Sequence, residues 1–83
     1  SIRKFHRQVL EKALLAMELQ PVQERFFASH FLNLDRSQLP EAFRAIEDFQ
    51  RKFCKEAQGE GGKRELLYCL SMQCFKVTEE ETV

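Results

Sequence analysis

The side chains able to do chemistry in this chain are few. They are two histidines, His6 and His30, three cysteines, Cys54, Cys69 and Cys74, and a basic group near the start, Arg3, Lys4, Arg7 and Lys12. An imidazole titrates near neutrality, so His6, beside Arg7 and one turn from Arg3, has the make-up of a pH sensor or of a contact for a ligand or a neighbouring domain. Its place near the middle of an apolar helical face favours the plainer role, a core histidine whose ring nitrogens bond a nearby carbonyl or carboxylate. His30 has no Cys, Asp or second His at metal-ligand spacing, and Cys69 and Cys74 fall on opposite faces of one alternating segment, which argues against tetrahedral zinc. Nucleophilic catalysis needs a Cys or Ser held by a base in a cleft, and no spacing pairs Cys54 with either histidine. The odd set of three cysteines, without a CxxC, is expected to be reduced, unlinked and metal-free, filling small gaps in a core. No catalytic residue, metal or cofactor is expected.

Two further stretches invite a chemical reading. "GEGGKR" at 59–64 has the glycines and lysine of a phosphate-cradling loop, but such a loop follows a strand, opens a helix and ends in Gly-Lys-Ser/Thr. Here the glycines close a helix and lead into an alternating segment, so a C-cap and turn account for them. The basic group on the first helix could touch phosphate, yet it lacks interleaved exposed aromatics, and the solvated flank of an amphipathic helix explains it more simply.

The elements that must position these residues follow from periodicity. Ile2, Phe5, Val9, Leu10, Ala13, Ala16 and Met17 share one side of a helical wheel, with Lys4, Gln8, Glu11 and Glu18 opposite, which predicts an amphipathic helix ending near Gln20-Pro21. "RFFASHFLNLD" at 25–35 alternates Phe26, Ala28, His30, Leu32 and Leu34 against Phe27, Ser29, Phe31 and Asn33, the pattern of a strand. After polar N-cap candidates at 35–37, Leu39, Ala42, Phe43, Ile46, Phe49, Phe53 and Ala57 predict a second helix, with Pro40 tolerable in its first turn. "ELLYCLSMQCFKVT" at 65–78 predicts a second strand, followed by an acidic tail from Glu79 to Glu81.

The expected architecture is therefore α+β, a two-layer αβαβ order with both helices on one face of a small sheet, its strands parallel through a right-handed crossover. Two strands alone are marginal, so a second chain is expected to complete the sheet. With the helices over Leu66, Tyr68, Leu70 and Met72, the opposite face would present Phe27, Phe31, Phe75 and Val77, an apolar patch of several hundred Å² by a rough count of about 150–200 Å² per exposed Phe. Such a patch marks a contact, and a two-fold homodimer is expected to bury it.

Bulk properties bound the function. Eighty-three residues make one domain, 1–83, with a thin core. Apolar content of 43%, charged content of 31% and few Gly or Pro fit an ordered globular domain. A formal net charge of zero argues against direct binding of nucleic acid by this stretch. The sequence shows no signal peptide and no long apolar span, so a reduced, cytoplasmic setting without a membrane is expected. Because Ser1 stands within a helical pattern and is not Met, the chain is expected to be cut from something longer.

Three stretches together resemble a known family. "IRKFHRQVLEKAL" at 2–14, "LPEAFRAIEDFQRKF" at 39–53 and "YCLSMQCFKVT" at 68–78 are similar to the C-terminal domain, of unknown function, in a large paralogous family of predicted bacterial helix-turn-helix transcriptional regulators. The family's His-Arg pair and following Leu are matched by His6, Arg7 and Leu10. Its closing Tyr-x-Leu-x-x-Gln-x-Phe is matched by Tyr68, Leu70, Gln73 and Phe75. This chain departs from the pattern at Phe26, where Asp is common after Arg, at Phe31, where Thr is common, and at Lys76, where Pro often stands. The resemblance implies an interaction, dimerisation or effector role within a regulator, with DNA binding carried by N-terminal domains. A small-molecule or nucleotide sensor is the alternative, and an enzyme is the least expected.

Overall fold

The computed structural model describes residues 1–78 and divides the chain into two units, Ser1–Leu32 and a second from Asn33 onward. The first unit is built on α1, Ile2–Leu19. Its N-terminus is capped by Ser1, whose Oγ accepts from the Lys4 N–H at 3.2 Å, satisfying one of the amides that the first turn leaves without an intrahelical partner. The helix stops at Gln20, which turns to an extended conformation (φ −87°, ψ 144°). The cause is the following Pro21, whose ring crowds the residue before it out of the helical region. A single 3-10 turn, Val22–Glu24, comes next, closed by the Glu24 N–H on the Pro21 carbonyl at 2.9 Å. Arg25 then folds back, its Nε donating to the Gln20 carbonyl at 2.9 Å.

The second unit is built on α2, Leu39–Gln58, entered through a 3-10 turn at Arg36–Gln38. Asp35 and Gln38 form a reciprocal capping box in which Gln38 Oε1 accepts from the Asp35 N–H at 2.7 Å. Pro40 sits in the first turn, where its missing N–H costs no helical bond. Gly59 ends the helix at φ +53°, and Gly61 and Gly62 hold φ values of +84° and +75°, a run of left-handed backbone that a side chain would strain. Arg64 braces this turn by donating from Nη2 to the Gly59 carbonyl at 2.7 Å.

The expected sheet is absent among the described residues. Arg25–Asp35, between the two 3-10 turns, and Lys63–Val77 carry no strand, and the α+β, αβαβ reading is corrected to two helices joined by 3-10 turns and irregular segments. The physical reason lies in what alternation encodes. Period-two patterning says which side chains would share a face, but a strand exists only when its N–H and C=O groups meet a neighbour in register. Phe26 and Phe31 belong to opposite sides of the first alternation, yet they are 89% and 86% exposed, so neither side is an inside. In the second segment Leu66 is 73% exposed and Leu67 is fully exposed, so within its own unit α2 does not supply the expected cover of Leu66.

No described residue is buried. Cover is partial and local. In the first unit Val9, Ala13, Ala16 and Arg25 are half-buried, and in the second Leu39, Ala42, Ile46 and Gln50. The cysteines expected as core fillers, Cys54, Cys69 and Cys74, are all free and exposed.

Candidate functional site

The groups singled out for chemistry do not converge. His6 stands exposed on α1 with its ring edge against Phe5, centroids 5.6 Å apart at 64°. Its expected place in a core is not met, because within its own unit the side chain is exposed. Arg3 and Arg7 lie exposed on the same helix, and His30 is exposed in the irregular segment. Among the described residues no group of three His, Cys, Asp or Glu side chains is placed to hold a metal ion. The glycine turn at 59–64 caps α2, as its spacing predicts, and projects no helix N-terminus toward a phosphate.

What the two units do present is uncovered apolar surface. The residues expected at an interface fall in both. Phe27 and Phe31 belong to the first unit, where Arg25 lies over the Phe27 ring at 5.8 Å from its centroid. Phe75 and Val77 belong to the second. All four are exposed. Sequence reasoning did not anticipate Arg25 as the residue that fastens the end of α1 and shields Phe27. Its signal was present in the two-residue spacing of a guanidinium and an aromatic ring.

The larger omission is α2 itself. Its apolar stripe was read as the inner face of a packed helix, whereas Phe43, Phe49 and Phe53 remain 43–52% exposed. Phe49 and Phe53 stack, and with Lys52 and Glu56 they border a shallow depression. Pairing one turn apart shields the two rings from each other and leaves their outer faces wet. On the polar side Asp48 and Arg51 form an exposed ion pair at i,i+3 spacing, of small energetic weight in water.

No helix among the described residues is long and apolar enough to cross a membrane. The family model described as a domain of unknown function (DUF4423) matches residues 1–77, and the chain belongs to that family. No curated protein and no solved structure matches it.

Proposed function

We propose that this member of the DUF4423 family is a non-catalytic interaction module of a bacterial transcriptional regulator, acting in the cytoplasm through self-association, with DNA binding carried by other segments of the regulator. The observation that supports it is the amount of uncovered surface. Within the first unit Phe26 and Phe31 are 89% and 86% exposed, and within the second Phe43, Phe49 and Phe53 stay 43–52% exposed along α2. Amphipathic helices draw most of their stability from packing of the apolar face, so faces left this open require another surface. The regulator assignment is supported by the resemblance at His6, Arg7 and Leu10 and at Tyr68, Leu70, Gln73 and Phe75.

Sedimentation equilibrium combined with thermal melts tests the reading. Association that deepens with concentration, together with a melting temperature that rises with it, is the expected result. A folded monomer with a sharp, concentration-independent melt would overturn it.

A further inference from the structure

We infer that α2 pairs with α2 of a second copy in an antiparallel sense, and that the charge order along the helix selects this direction. The inference rests on the self-association just proposed and names its surface. The apolar stripe runs the length of the helix through Leu39, Ala42, Phe43, Ile46, Phe49 and Phe53. The charges are sorted along the same axis. The first half, Leu39–Asp48, carries Glu41, Glu47 and Asp48 against Arg44, a net of −2. The second half, Phe49–Gln58, carries Arg51, Lys52 and Lys55 against Glu56, a net of +2.

A parallel pair sets −2 beside −2 and +2 beside +2, whereas an antiparallel pair sets each half against its opposite. This order also matches the helix's own dipole, so it stabilises α2 before any pairing. The dipole acts only within the first and last turns, however, and here the sorting reaches inward to Glu47 and Asp48 and to Arg51 and Lys52. Asp48 and Arg51 already pair within the helix, and an antiparallel partner adds to that inner sorting, because helices packed about 8–10 Å apart bring their flanking charges to about a Debye length of each other along the whole span. The three phenylalanines, each about half exposed, offer about 300 Å² per copy. The α2 pair alone then buries about 600 Å² of aromatic surface, below the 1,200–2,000 Å² of a standard interface. It sets the direction of an association that other exposed apolar residues of the chain strengthen.

Two measurements on the full chain test this. Charge variants come first: Glu41→Lys with Asp48→Lys gives two basic halves, and Lys52→Glu with Lys55→Glu gives two acidic halves. Each variant alone is expected to self-associate at least about fivefold more weakly than the parent, and an equimolar mixture to recover parental association. Direction is then read from a spin label at Gln58→Cys, the three native cysteines replaced by Ser. At 1.5 Å per residue the labels stand about 30 Å apart in the antiparallel pair and under about 20 Å in a parallel one. The short distance, or charge variants that associate as tightly as the parent, overturns the antiparallel pairing and leaves self-association standing. A folded monomer overturns both.

Discussion

Phe49 and Phe53 stack one turn apart on α2, with ring centroids 5.7 Å apart and planes inclined by 24°, and each keeps about half of its surface in water. A stacked aromatic pair is a rigid, preformed anchor, since neither ring loses much freedom when a partner covers it. Replacing either by Ala is expected to weaken self-association about tenfold or more, as truncation of a central aromatic anchor does. Sedimentation of Phe49→Ala and Phe53→Ala measures it. Unchanged association would place the contact elsewhere on the chain.

A second prediction concerns the irregular segments. Phe31 and Phe75 are 86% and 74% exposed, and covering them is favourable at roughly 25 cal/mol per Å² of apolar area. The double substitution Phe31→Glu, Phe75→Glu is expected to shift the chain toward monomer with its helical circular dichroism retained. Loss of the helical signal would show instead that these rings support the fold of each copy.

The cap before α2 gives a third. Asp35→Ala removes the side-chain acceptor of the capping box and leaves the bond from the residue 35 N–H to Gln38 Oε1 in place. The expected cost is about 1 kcal/mol, seen as a lower melting midpoint and fraying at the start of α2. Asp35→Ser, which restores a cap acceptor, is expected to recover most of it.

The three thiols supply a fourth. Cys54, Cys69 and Cys74 are free and exposed, so all three are expected to react with a water-soluble thiol reagent in the dilute, unassociated chain without denaturant. A cysteine that reacts only after denaturation would reveal cover that neither unit supplies.

Binding of DNA is the fifth. With 13 basic and 13 acidic side chains, the chain offers little counterion release to drive association with a duplex. Only weak, salt-sensitive binding is expected in a gel-shift titration. Submicromolar, sequence-selective binding would contradict the placement of DNA recognition in other segments.

Both helices were legible in the sequence because their signals are local. Pro21 fixes the end of α1, Pro40 suits the first turn of α2, and Gly59 supplies the left-handed residue that closes it. The expected strands, absent among the described residues, rested on a signal of another kind. The alternation at 25–35 and 65–78 is real, but pairing is a relation between segments, and nothing in either segment states its neighbour. The misplacement of His6 and the three cysteines has the same origin. An apolar neighbourhood on a helical wheel or an alternating segment was read as a core, and burial depends on what packs against that neighbourhood. Phe27, Phe31, Phe75 and Val77 are exposed, but so are most large apolar residues of the chain, and the sheet face that singled them out is absent among the described residues; the wet stripe of α2 was not legible, because its spacing is that of any packed helix.

The capping of α1, and of the 3-10 turn that leads into α2, by residues three positions apart has a kinetic consequence. Ser1 with Lys4, and Asp35 with Gln38, form their bonds without waiting for any distant part of the chain. Helix-coil relaxation in segments of this length takes on the order of a microsecond or less. Each helix can therefore appear and vanish many times before two apolar faces meet. If the chain self-associates as proposed, the slow event in its assembly is an encounter, and its rate is expected to scale with how many copies share the solution.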